Sequence, residues 1–170
     1  MPSIAKADQA QPVVRPEETA ANGSVPMSEQ TERIESFDEV PVHRYLGLRM
    51  ISGSPEEVIV EMDVTSDQTQ ETGVVHGGLL SSLADASAAN LFQPYVPDHL
   101  ITTSIEFKMN FLRPVLADRG TLVAHATVLR QGRKVAIAEV EITQAAKMVA
   151  KGLFTFLFVD KREWSGKASE

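Results

Sequence analysis

The chain has 170 residues and no cysteine, with 16 Lys and Arg against 23 Asp and Glu and 43% hydrophobic residues. Length and apolar share fit one globular domain with a real core, and the lack of cysteine excludes a disulfide framework, a thiolate nucleophile and cysteine-ligated zinc. A formal charge of −7 argues against a nucleic-acid binder, which needs a basic face.

Residues 1–27 carry four of the nine prolines and almost no large apolar side chain. Such a segment cannot bury enough surface to offset its ordering entropy, so it is predicted to be a disordered, acidic, Pro-rich tail. Residues 1–40 hold three basic and eight acidic side chains; the remainder holds 13 and 15 and is close to neutral. The first 30 residues have neither the apolar block of a secretory signal nor the Arg-rich, acid-free character of a transit peptide, and no run approaches the ~20 apolar residues of a spanning helix. The expectation is a soluble cytoplasmic protein without membrane or nucleic-acid partners, with a single domain over 28–165.

Ser28 is suited to cap a short helix running to about Phe37, and Pro41 to Leu46 suggests another helical turn before Gly47. Leu48, Met50 and Ile51 predict a strand ending at Gly53-Ser54-Pro55. Val58, Val60, Met62 and Val64 alternate with Ile59, Glu61 and Asp63, the period of a half-buried strand. A polar loop over 66–75 precedes the one long helix, His76 to Phe92. Leu80, Leu83, Ala84, Ala88 and Leu91 mark its buried face, and Pro94 and Pro97 stop it. Four strands follow, over about 100–112, 119–130, 134–145 and 148–160. Ala136, Ala138, Val140 and Ile142 face one way; Glu139 and Glu141 face the other. Short turns imply that successive strands are antiparallel neighbours. The fold class is α+β, an antiparallel sheet with one long helix lying across it.

The chemistry is concentrated in Gln70 to Asp85. Gly77 and Gly78 at a helix start leave backbone N–H groups uncovered, which together with the helix dipole suit an oxygen that gains negative charge. Asp85 is a poor helix former in mid-helix, and its neighbours on the helix surface are Gly78, Ser81, Ser82 and Ala89, so something can approach it closely. Each feature alone also fits an ordinary turn, a solvated charge or a loop histidine at His76. Their combination at this spacing, after an alternating strand and before four more, is the signal.

These residues resemble a known family. His76-Gly77-Gly78 followed by Leu83-Ala84-Asp85 is similar to the hotdog-fold thioesterases, in particular the phenylacetate-pathway and 4-hydroxybenzoyl-CoA thioesterase type. The resemblance spans roughly 40–160 and includes Tyr45-Leu46-Gly47, Asn110-Phe111-Leu112-Arg113-Pro114 and Gly132-Arg133. It implies a sheet wrapped around a central helix and hydrolysis of an acyl-CoA thioester. Gly77 matches the glycine whose N–H polarises the carbonyl, and Asp85 the nucleophile or general base. Gln70 falls where related enzymes carry Asn or Gln near the carbonyl or leaving group. Ser104 matches a hydroxyl that helps to place water. Asp85 itself, and Ala89 where one branch carries Thr, match the branch that uses aspartate. Either role of Asp85, direct attack through an anhydride or proton abstraction from water, fits the sequence.

Gly77 and Asp85 are eight residues apart, about 12 Å along one helix and about 80° around it, so one carbonyl can hardly meet both. The expectation is therefore a homodimer with the acid supplied by a second copy, its helix approaching across the small face of Gly78, Ser81, Ser82 and Ala89. The family resemblance implies the same and a further pairing of dimers into tetramers.

His76, Gly78 and Ser82 are assigned to substrate contact. Arg133 and Lys134, near the turn at Gly132, and Arg113 fit the phosphates of coenzyme A, and the first two fit a solvated hairpin tip equally well. Phe107, Phe111, Phe154, Phe156 and Phe158 are read as core or dimer packing. His43, His99 and His125 match no metal pattern. Coenzyme A enters only as part of the substrate, so no cofactor or metal is expected. Two rival functions share the fold: a hotdog protein that binds an acyl thioester or small ligand without turnover, which has little use for Asp85, and a hydratase, whose His and acid pairing this chain lacks.

Overall fold

The computed structural model describes residues 27–164. The predicted tail over 1–27 lies outside the described residues except for Met27, which begins helix α1 (Met27–Glu39). Ser28, expected as a cap, lies inside that helix. A second helix, α2 (Pro41–Leu46), ends at Gly47, whose φ of 68° is a left-handed conformation that glycine adopts without steric cost. His43 fastens α2 to α1: its ring stacks on Phe37 at 4.0 Å and its Nδ1 lies 2.9 Å from the Phe37 carbonyl oxygen.

Strands β1 (Leu48–Gly53) and β2 (Glu57–Met62) precede helix α3 (Gly77–Leu91). After it come β3 (Leu100–Phe111), β4 (Leu122–Gln131), β5 (Val135–Gln144) and β6 (Lys147–Asp160), then a single helical turn, α4 (Lys161–Trp164). All six strands form one antiparallel sheet in the order β1-β2-β4-β5-β6-β3. The inward period is the one the sequence predicts. Val58, Val60 and Met62, then Ala136, Ala138, Val140 and Ile142, are fully buried. Alanines in the middle strands (Ala124, Ala126, Ala136, Ala138) make a shallow trough, and α3 lies in it with Leu80, Leu83, Ala84, Ala88 and Leu91 inward. Burying each leucine stabilises this packing by roughly 1.5–3 kcal/mol. Phe154, Phe156 and Phe158 close the core. This is the hotdog arrangement, with the sheet wrapped around the long helix.

One topological expectation is corrected. β3 does not neighbour β4; it lies at the far edge, beside β6. The connection from β3 to β4 is ten residues long and carries the chain across the sheet. Buried Gln144 fastens it, donating to the Leu116 and Gly120 carbonyls at 2.8 and 2.9 Å and accepting from the Leu116 N–H at 3.2 Å. β4 begins later than expected because Ala117–Arg119 forms a 3-10 turn and Gly120 has a φ of 84°. β3 shows why it is an edge: among its residues Ile105, Phe107 and Phe111 are each at least half exposed, so it has no consistent buried face. Gly152 lets it lie close, since a Cβ there would sit 2.8 Å from the Lys108 carbonyl oxygen. Among the described residues no helix is long and apolar enough to cross a membrane.

Candidate active site

The loop before α3 is held tightly. The Gln70 N–H donates to the Val74 carbonyl at 2.7 Å and the Gly73 N–H to the Gln70 carbonyl at 2.8 Å, closing a turn in which Gly73 has a φ of 76°. On one side the Val75 N–H donates to Val115, and on the other the His76 N–H donates to Gln68. The turn therefore carries Gln70 to the start of α3. There, exposed Gln70 and half-buried Gly77, with Val74, Leu80, Phe111 and Arg113, line an open cavity of about 410 Å³.

His76 is the N-cap of α3. Its backbone is extended (φ −64°, ψ 128°), and its Nδ1 accepts from the Gly78 N–H at 3.0 Å. The pair of glycines is thereby divided. The Gly78 N–H is satisfied by its own chain, whereas the Gly77 N–H, at the first helical position, has no acceptor within the helix. His76, expected to touch substrate, acts here as a cap. Gly78 is filled on one side, since a Cβ there would meet His76 Nδ1 at 2.9 Å.

Asp85 sits two turns further along, half-buried. Its Oδ1 accepts from Ser104 Oγ at 2.6 Å, joining two residues that the sequence reading assigned separately. α3 thus runs antiparallel to β3, with Gly77 against the Phe111 ring, Ser81 against Met109 and Asp85 against Ser104. Gly77 and Gln70 lie at one end of this line, Asp85 and Ser104 at the other. Within one chain they do not converge.

The small face of α3 is bordered by α2, where the sequence reading placed a partner's helix. Val42, Leu46 and Leu48 face Ala86, Ala89 and Asn90 across a groove of about 260 Å³, with Asp85 and Ser82 also in its lining. Ser82 Oγ is turned back to the Gly78 carbonyl at 3.0 Å. The sequence reading missed this groove, because a six-residue helix is too short to display a period.

The cationic candidates also separate. Arg113 is exposed at the Gly77 end, where it donates to the Met148 carbonyl. Arg133 and Lys134 are exposed at the β4–β5 turn, and the Lys134 carbonyl accepts from the Phe158 N–H, which places that turn at the end of the sheet where β3 begins. Charge perturbations lie elsewhere: the Arg49 guanidinium holds the Asp63 carboxyl below the usual range, and Arg162 does the same to Asp160. Among the described residues no cluster of His, Asp and Glu could hold a metal ion.

Three comparisons bear on this geometry. The family described as the thioesterase superfamily matches residues 72–151, the stretch from the Gln70 turn through β3 and into β6. Human acyl-coenzyme A thioesterase 13 is 30% identical over 116 residues, covering 66% of this chain and 81% of the relative. Among solved structures, the PaaI protein of the E. coli phenylacetic acid degradation operon superposes with a TM-score of 0.68 at 27% identity, covering 78% of this chain and 92% of the other. The conserved protein PA5202 of Pseudomonas aeruginosa gives 0.66 at 29% identity, covering 73% and 98%. With the helix-start glycine, the mid-helix aspartate and the wrapped sheet all in place, the chain belongs to the thioesterase superfamily.

Proposed function

We propose that the protein hydrolyses acyl-CoA thioesters as a homodimer, each site taking Gly77 and Gln70 from one chain and Asp85 and Ser104 from the other. The observation that carries this reading is the opposed placement of two incomplete half-sites along α3 and the open edge of β3. The similarity to human acyl-coenzyme A thioesterase 13 supports coenzyme A as the thiol half.

The pairing follows from the strand. Ser104 and Phe111 mark the two half-sites, seven residues or about 20 Å apart. If β3 pairs antiparallel with its copy so that Ser104 lies opposite the partner's Phe111, the bulge between Ser104 and Glu106 takes up one residue and the twofold passes through Lys108. That register sets Asp85 near the partner's Gly77, covers the exposed Ile105, Phe107 and Phe111, and satisfies the unpaired strand edge. It also brings the partner's Arg113 to the end of the sheet that carries Arg133 and Lys134, a surface for the phosphates of coenzyme A.

In such a site the thioester oxygen accepts from the Gly77 N–H at the positive end of α3, and the Gln70 amide lies beside it. As the carbonyl carbon becomes tetrahedral, negative charge develops on that oxygen and the fixed donor stabilises it. The Asp85 carboxylate, oriented by Ser104, either takes a proton from water as water attacks or attacks the carbon itself, giving a mixed anhydride that water then cleaves. Both routes break the C–S bond and give the free acid and the thiol of coenzyme A.

The test is thiol release from acyl-CoA. Asp85→Asn retains the size of the side chain and an oxygen that accepts from Ser104. Its release rate is expected to fall at least 100-fold, with the melting temperature within a few degrees of the parent. Binding of acyl-CoA by the parent with no thiol release would favour the ligand-binding reading instead.

A further inference from the structure

We infer that the acyl half of the substrate lies in the groove between α2 and α3, and that this groove limits efficient substrates to acyl groups of about ten carbons, aromatic ones included. The inference rests on the thioesterase reading above and specifies its substrate class.

Of the cavities beside the half-sites, this one combines apolar walls with Asp85 in its lining. Its walls are Val42, Leu46, Leu48, Ala86 and Ala89, and its lining includes Asp85, which the reaction places at the carbonyl carbon. The cavity beside Gly77 also has apolar walls, Val74, Leu80, Phe111 and Val115 among them, but of the two it alone holds a cationic side chain, Arg113, which with exposed Gln70 suits the phosphate-bearing thiol carrier. An acyl chain that leaves the carbonyl on the Asp85 side therefore meets the apolar walls of the α2 groove.

The groove has a fixed wall and a polar end. α2 is held by the stacking of His43 on Phe37, and His43 is only 8% exposed. At the far end Asn90 is committed. Its side-chain amide donates to the Ala86 carbonyl at 2.9 Å, and its own carbonyl accepts from Arg33 Nη2 at 2.9 Å. A chain pushed beyond this point would strip water from polar groups without replacing their hydrogen bonds.

The volume sets the scale. A protein cavity of about 150 Å³ accommodates benzene, or about 25 Å³ per carbon. The groove's 260 Å³ then corresponds to about ten carbons. An arylacetyl group of eight carbons or a medium-length chain fits. A sixteen-carbon chain needs about 400 Å³ by the same measure and does not.

The experiment measures kcat/KM for straight acyl-CoAs of two to sixteen carbons and for phenylacetyl-CoA, using the full chain. Each methylene that enters the groove should raise kcat/KM about fourfold, and the rise should stop near eight to ten carbons. Ala89→Leu fills the groove by three carbons and should move the break to shorter chains by about that number. Leu46→Ala should move it the other way. Two variants with opposite signs separate a pocket effect from poor folding, which would lower all substrates together. A rise that continues through sixteen carbons, or a break unmoved in both variants, overturns the groove assignment while leaving the hydrolase intact. No thiol release from any acyl-CoA by the parent overturns the thioesterase reading, and this inference with it.

Discussion

Removing a single backbone N–H at the start of α3 isolates the polarising group. Gly77→Pro deletes that N–H and should not break the helix. Proline is favoured at the first helical position, and the residue before it must be extended. His76 already is, at φ −64° and ψ 128°. The cost is a new side chain near Phe111, since a Cβ on Gly77 would meet that ring at 3.1 to 3.5 Å, close enough to shift the ring by a few tenths of an ångström. Gly77→Ala adds the same Cβ and keeps the N–H, so comparing the two variants cancels the contact of that Cβ with Phe111. Loss of one preorganised donor to a developing oxyanion costs about 100- to 1000-fold in kcat, or about 2.7–4 kcal/mol. Thiol release at saturating acyl-CoA should therefore be at least 100-fold slower in Gly77→Pro than in Gly77→Ala. Thermal unfolding of both should remain a single transition. Rates within about threefold of each other would refute the assignment of this N–H to the carbonyl.

The same account predicts behaviour away from the chemistry. Because the chain has no cysteine, a single introduced one reports cleanly on the twofold. Oxidised Lys108→Cys should run as a covalent dimer on denaturing gels, whereas Asn110→Cys, on the same edge but about 15 Å from its copy in the proposed register, should stay monomeric. Equal cross-linking of both would reject that register. A different test concerns alkaline stability. Burial, the largest influence on Tyr95, raises its phenol above the ordinary value, and the hydroxyl donates to the Pro55 carbonyl at 3.0 Å. A raised phenol pKa gives stability that is fully present below about pH 10, the unfolded value, and is lost as pH rises through the folded value. Tyr95→Phe should lose about 1 kcal/mol at neutral pH and show a shallower fall in chemical-denaturation midpoint above pH 10 than the parent. A parallel fall would mean that Tyr95 is not the titrating group.

Much of the fold could be read from period. Leu80, Leu83, Ala84, Ala88 and Leu91 repeat at helical spacing and Ala136 to Ile142 at strand spacing, and both sets are buried as that pattern requires. The place of β3 could not be read, because strand adjacency depends on where a ten-residue connection lands, and that is decided by buried groups such as Gln144. A signal for Gln144 existed: it continues the inward series of Ala136, Ala138, Val140 and Ile142, and a polar side chain in a buried register needs partners. The division of labour between the two glycines was also hidden, since it depends on the His76 ring turning back to the Gly78 N–H. Asp85 stood out on its helix face and Ser104 by family resemblance, but their hydrogen bond joins positions nineteen residues apart and follows from the way α3 lies over β3.

Mixing two inactive variants tests the shared site most directly. Asp85→Asn lacks the acid and Gly77→Pro lacks the donor. In a mixed dimer one site combines both defects and the other combines both intact residues. Equal amounts, dissociated and reassociated at random, give half mixed dimers with one working site in two. Thiol release should therefore recover to about a quarter of the parent rate, while neither variant alone exceeds a few per cent. A mixture no more active than the average of its components would place Gly77 and Asp85 in separate sites and contradict the account.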